Sequence, residues 1–243
     1  MTVSTSAATD PRDNLLLAGL ADDAYERIAA DLQFESLDEG RLLGGPSAVP
    51  DRFYFPTSGL VSLLYSMADG HAAELALVGR EGGIGLPLIL GGHAFPADAV
   101  VQLSATAWTI RPQALRHEFT LGGSLQHRLL LFSQALMTQI AQTAVCNRHH
   151  TIEQHLVRWI LLSLDRVPGT DLRMTHESIA HMLGVRRAGV TEAADHLQRD
   201  GLVSLARGHI HVHERAALEA RACECYRTIR AAYEPLERDA RPR

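Results

Sequence analysis

Over residues 175–212 the chain reads THESIAHMLGVRRAGVTEAADHLQRDGLVSLARGHIHV, and its apolar positions recur at helical spacing in two groups. Ile179, Ala180 and Leu183 precede Gly184; Val190, Ala193, Ala194 and Leu197 follow it. Two helices broken at one glycine make a helix-turn-helix. Thr175 is the expected N-cap of the first, although Ser178 stands where a full capping box would need Glu or Gln. The second is expected over 186–200, ending at Gly201. Two short β-runs, 202–205 and 209–212, joined through Ala206-Arg207-Gly208, add a wing.

Elsewhere the pattern divides the chain further. Residues 1–13 are polar and are expected to lack order, and 14–34 read as one or two lead-in helices. Between 34 and 110, short apolar runs at 41–43, 53–55, 60–65, 73–78, 100–103 and 107–110 alternate with Gly, Pro and Asp. They predict an antiparallel sandwich or barrel of about eight strands. Glycine and proline then vanish over 124–146, which predicts one long helix. Its apolar positions fall in two stripes: Leu125, Leu129, Phe132 and Leu136, continued by Gln139 and Thr143, and beside them Leu130, Met137, Ile140 and Ala144. A helix with two apolar stripes has two surfaces to cover, its own β-domain and a partner helix. A homodimer is the expectation, with the Leu125 to Thr143 stripe at its interface.

Asn147-Arg148-His149-His150 interrupts the stripe as a hinge, 151–164 is again helical, and a last helix over 214–233 is expected to halt at Pro235. The fold class is α+β. The units are an effector-type β-domain over 14–120, a dimerisation helix over 121–146, a winged helix-turn-helix over 147–213 and a helical extension over 214–243.

Charge adds an asymmetry. The net charge of −5 arises from 23 basic residues, all Arg, against 28 acidic ones. Residues 1–146 hold 8 Arg against 15 acids and 147–243 hold 15 against 13, which suits an acidic sensor joined to a reader of nucleic acid. The opening residues have neither the basic start nor the apolar core of a leader, and no apolar run approaches a membrane span, so a soluble cytoplasmic protein is expected. Three cysteines, Cys146, Cys223 and Cys225, form no zinc-type pair of pairs and are expected as free thiols, with no bound metal.

A recognition helix enters the major groove with its N-terminal residues at the base edges. Arg186 and Arg187 occupy that end, which makes double-stranded DNA the expected partner. The order of elements, with GREGGIG at 79–85 and MLGVRRAGVTEAADHLQRDGLV at 182–203, resembles the cyclic-AMP receptor/FNR superfamily of bacterial transcription regulators over most of 14–213. The resemblance implies an N-terminal β-roll like the cyclic-nucleotide-binding jelly roll, a dimer on an inverted-repeat operator, and RNA polymerase as a candidate contact. It places Arg187 at the guanine-reading position, Ala188 and Glu192 at the next two, where the family often has Glu and Arg, and Arg186 at a usual capping Ser. Thr191 joins the reading set, and Thr175, His176 and Arg207 suit phosphate contacts.

The same resemblance implies which effector to doubt. Nucleotide-binding relatives hold the ribose with a Glu in a glycine turn and clamp the phosphate with a later Arg. Here the turn is Gly82-Gly83-Ile84-Gly85, and no arginine lies between Arg80 and Arg111, so cyclic AMP is not the expected effector and the effector is left unknown. Glu81 is expected as a solvated loop carboxylate. An iron–sulfur cluster of the FNR kind needs four cysteines, mostly N-terminal, and is not expected. Haem is disfavoured, its candidate ligands being the isolated His71, His93, His117 and His127. His209, His211 and His213 share one face of the wing, first as polar surface, next as phosphate donors. The alternatives are a cupin-type metalloenzyme, for which 34–115 offers only His71 and His93, and a regulator without any small-molecule effector.

Overall fold

Short antiparallel strands build the N-terminal half of the computed structural model, which describes residues 9–46, 48–92, 94–206 and 208–240. Helices α1 (Leu15–Ala18) and α2 (Asp22–Ala29) lead into seven strands among the described residues: β1 (Gln33–Leu37), β2 (Leu42–Gly44), β3 (Phe53–Pro56), β4 (Leu60–Ser66), β5 (Ala72–Val78), β6 (Asp98–Leu103) and β7 (Ala105–Ile110). The short α3 (Pro87–Leu90) interrupts them. They form two antiparallel sheets, β1-β7-β3 and β2-β6-β4-β5, with Phe53, Phe55, Leu60, Leu77, Val101 and Ile110 in the core. β1 is the strand that the apolar runs did not announce, because Gln33 to Leu37 has one buried residue and no clean alternation. Residues 1–8 lie outside the described residues. Thr9, expected to lack order, is docked instead: its carbonyl accepts from Trp108 Nε1 at 3.0 Å and its hydroxyl meets that of Thr57 at 2.8 Å.

After α4 (Pro112–Thr120) comes α5 (Ser124–His149), which runs through most of the predicted hinge. The turn contracts to His150 and Thr151 because Thr151 and Gln154 form a reciprocal capping box that starts α6 (Ile152–Leu164) at once. The winged domain continues with β8 (Asp171–Leu172), α7 (His176–Leu183), α8 (Arg187–Arg199), β9 (Val203–Ala206) and β10 (His209–Val212). The wing strands pair in the order β8-β10-β9, which adds a third strand to the two expected.

The expected C-terminal helix is two, α9 (Arg215–Arg221) and α10 (Glu224–Asp239), and Pro235 does not stop the second. Pro235 removes one backbone donor, yet packing compensates: Tyr226, Ile229, Tyr233 and Leu236 are buried at alternating three- and four-residue steps, and α10 lies along α5. Arg128 of α5 donates to the Leu236 carbonyl at 2.7 Å.

That contact corrects the expected dimer stripe. Leu125, Leu129, Phe132, Leu136, Gln139 and Thr143 are all buried within the protomer, because α5 packs on β5 as well as on α10. Gln139 donates to Leu77 O at 3.2 Å and accepts from Tyr233 Oη at 2.9 Å, so it joins three elements of its own chain. Left exposed is a different stripe at steps of three and four: His127, Leu130, Gln134, Met137, Ala141, Ala144 and Arg148. Leu130 and Met137 are 50% and 58% exposed, unusual for such side chains on a helix otherwise locked into a core. Against the expectation that no run approaches a membrane span, α5 is long and apolar enough to cross one, although β5 and α10 of its own chain pack against it.

Candidate nucleic-acid interface

The reading head is assembled by local rules. Thr175 Oγ1 accepts from Ser178 N at 3.1 Å and starts α7; Gly184, at φ 65°, takes the left-handed conformation that ends it. Arg186 sits at the N-cap of α8 with no side-chain capping bond, so its guanidinium is not used in closing the helix. Val190, Ala193, Ala194 and Leu197 turn inward. Gly189 lets α8 lie close on α6, since a Cβ there would stand 2.7 Å from Ile152 Cδ1. His176 Nδ1 meets Thr191 Oγ1 at 3.1 Å and ties the two helices together, while Gln198 Oε1 accepts from Leu205 N at 2.8 Å and ties α8 to the wing.

The outward face therefore gathers Arg186, Arg187, Ala188, Thr191 and Glu192, with Thr175 and His176 beside it. Arg207 lies outside the described residues. A concave surface between α8 and the wing is lined by Thr175, His176, Arg187, Asp195, Gln198 and His209. Asp195 is the member of this face that periodicity pointed to and the sequence reading passed over; it lies one turn beyond Thr191 and Glu192. Arg187 Nε stands 3.7 Å from Glu177 Oε2, both side chains well exposed, so the pair is screened and easily exchanged. Along β10, Ile210 and Val212 face the core and His209 and His211 point outward; His211 Nδ1 meets Asp171 Oδ1 at 2.9 Å.

The β-roll tells a different story. Its cavity, about 30 Å³, is lined by Leu63, Ile84, Leu86, Phe95, Ala97 and Leu136 with backbone at Gly83 and Gly85. It holds about one water molecule, against the several hundred Å³ a nucleotide-sized ligand requires. The glycines of the 82–85 turn serve packing: a Cβ on Gly82 would fall 2.2 Å from Phe132, and one on Gly83 would fall 2.3 Å from Phe53. His71, His117 and His127 are exposed and do not line this cavity, and His93 lies outside the described residues.

Glu81 is the clearest correction. It is buried, not solvated; its Oε1 accepts from Arg166 Nε at 2.7 Å and from Gly79 N at 3.1 Å. Arg166, just beyond α6, also donates to Gln139 at 3.1 Å. A second buried carboxylate, Glu74 on β5, accepts from Ser62, whose hydroxyl lies 3.9 Å from Met182 Sδ of α7. Burial pushes Glu74 up to about 7. The β-roll and the reading domain are thus in direct polar contact. Cys146, Cys223 and Cys225 are free thiols, as expected, but they are not isolated: they are buried together with His150 beside them, and Cys146 meets Cys223 across 77 residues of sequence.

Residues 154–221 match a family described as a Crp-like helix-turn-helix domain. Over 214 residues the chain is 26% identical to the global nitrogen regulator of Synechocystis sp., covering 80% of this chain and 92% of that protein. Among solved structures, a putative transcriptional regulator of the Crp/Fnr family from Eubacterium rectale aligns with a TM-score of 0.66 at 17% identity, covering 85% of this chain and 96% of that one. FixK2 from Bradyrhizobium japonicum aligns with a TM-score of 0.66 at 15% identity, covering 79% and 98%. At those identities the two structures speak for the fold, and the domain match speaks for the reading head.

Proposed function

We propose that this chain, whose residues 154–221 match a Crp-like helix-turn-helix domain, is a transcription regulator of the Crp/FNR type that reads an inverted-repeat operator as a homodimer without cyclic AMP as its effector. The observation that carries the reading is the first turn of α8, where Arg186, Arg187 and Ala188 are exposed on a helix otherwise anchored by buried Val190, Ala194 and Leu197. Each reading position has a chemistry. Arg187 offers a bidentate fork to guanine O6 and N7, the Ala188 methyl suits a thymine methyl, and Glu192 accepts from cytosine N4. Thr175, His176 and the wing histidines supply donors for phosphate oxygens.

The exposed Leu130, Met137 and Ala144 stripe is the surface on which a second copy pairs through α5. Such pairing sets two recognition helices about 34 Å apart, one turn of DNA. The cavity of about 30 Å³, with no ionisable side chain in its lining among the described residues, supports a reading without a cyclic nucleotide. Selection of binding duplexes from a random pool tests the whole reading: the expected product is a two-fold-symmetric site. Leu130→Glu with Met137→Glu is expected to give a monomer by sedimentation that keeps its circular dichroism and binds the symmetric site far more weakly. A wild-type protein that is monomeric at micromolar concentration, or that selects no common sequence, contradicts it.

A further inference from the structure

Cys146 lies in the last turn of α5, and His150, four residues on, is the C-cap of that helix. Cys223 is the N-cap of α10 and Cys225 lies in its first turn. From their placement we infer that these four side chains form a binding site for a single tetrahedral, thiolate-seeking divalent metal ion of the zinc type.

The geometry is that of one ion. All four donor atoms lie within 4.8 Å of one another. Cys146 Sγ is 3.7 Å from Cys223 Sγ, and Cys225 Sγ is 3.7 Å from His150 Nδ1. Zinc bonds of about 2.3 Å to sulfur and about 2.0 Å to nitrogen place tetrahedral neighbours roughly 3.5–3.8 Å apart. A disulfide would bring two sulfurs to about 2.05 Å. Ligands of an iron–sulfur cluster are shared among several irons and spread wider than this set.

The surroundings fit as well. The three thiols are buried, which excludes competing water. The other ring nitrogen of His150, Nε2, lies 3.4 Å from Glu224 Oε2, a carboxylate that fixes the tautomer and leaves Nδ1 to the metal. Cys146 O, one turn back, is held by His155 Nε2 at 2.7 Å, which fixes the helix end that carries two of the four donors. Buried Arg158, bonded to Thr143 at 3.2 Å, supplies positive charge against three thiolates. Binding exchanges three thiol protons to solvent for one dication; nothing is oxidised.

The position gives the site a role. His150 is the turn between α5 and α6, so a metal there staples the helix on which two copies pair, the base of the reading domain and the start of α10. Soft sulfur donors with one imidazole select zinc over calcium or magnesium.

The test uses the full chain. Its metal content as purified under reducing conditions is expected to be one zinc per chain. The metal-free protein, titrated with cobalt(II), is expected to bind one equivalent with tetrahedral d–d bands and thiolate charge-transfer absorption, displaced by zinc. His150→Gln, a partly exposed position expected to fold normally, should lower the affinity at least about tenfold, and Cys223→Ser with Cys225→Ser should abolish the spectrum. Zinc should raise the unfolding midpoint of the wild type and not that of the double variant. A folded wild type without a tetrahedral cobalt spectrum overturns the inference, as does equal affinity in the double variant. Iron with acid-labile sulfide, or a Cys146–Cys223 disulfide in the resting protein, overturns it too.

Discussion

Two Arg–Glu pairs stand on the two sides of the reading domain. Arg187 and Glu177, on the face turned to solvent, are 3.7 Å apart; Arg166 and Glu81, on the side turned to the β-roll, are 2.7 Å apart and buried. The first is worth under about 1 kcal/mol, so it leaves Arg187 able to exchange its carboxylate for the guanine that the proposed function assigns to it. The second has lost its hydration, and each partner depends on the other and on Gln139 and the Gly79 amide. The same pair of residue types is thus readily exchanged where water screens it and fixed where water is absent.

The comparison is broken most sharply by Arg166→Ala. It strands Glu81 in the interior and is expected to lower stability by about 3–5 kcal/mol, read from denaturant unfolding, whereas Glu177→Ala on the outer face should shift it by less than about 0.5 kcal/mol. Next in size is Glu74→Gln. Burial lifts the Glu74 carboxyl from an ordinary 4.5 to about 7. The folded state therefore favours the protonated form. The penalty is absent below pH 4.5, grows as pH rises from there, and is complete above pH 7. Glu74→Gln should accordingly stabilise the protein by about 2–3 kcal/mol at pH 8 and by almost nothing near pH 4.5; equal effects at both pH values would refute the assignment. Smaller again is Gly184→Ala. A Cβ there meets Ala72 O at an ordinary 3.4 Å, so the loss comes from the left-handed backbone at φ 65° and is expected near 1–2 kcal/mol by thermal unfolding.

Much of the reading head was legible because its rules are local: Gly184 between two apolar groups of three and four residues, Thr175 at a cap, Gly201 at a stop and alternating Ile210 and Val212 each act within a few residues. The β-domain was legible as short runs, but β1 was not, since its pairing with β7 lies about 70 residues away in sequence. What escaped was long-range. Two apolar stripes on α5 announced two covered surfaces without saying which was which; α10, to which periodicity gave no destination, took the one expected for the partner. Glu81 reads as a loop carboxylate until Arg166 arrives from 85 residues on. Cys146 reads as a lone thiol until α10 returns Cys223 and Cys225 to it.

The central claim is that Arg187 reads a base while contributing little to the fold. Its most direct test is the affinity of wild type and Arg187→Ala for the selected operator and for a scrambled duplex, at one fixed salt concentration. The account predicts a loss of about 1–3 kcal/mol on the operator, roughly tenfold to over a hundredfold, a much smaller change on the scrambled duplex, and an unmoved unfolding midpoint. Equal affinity of both proteins for both duplexes would contradict it.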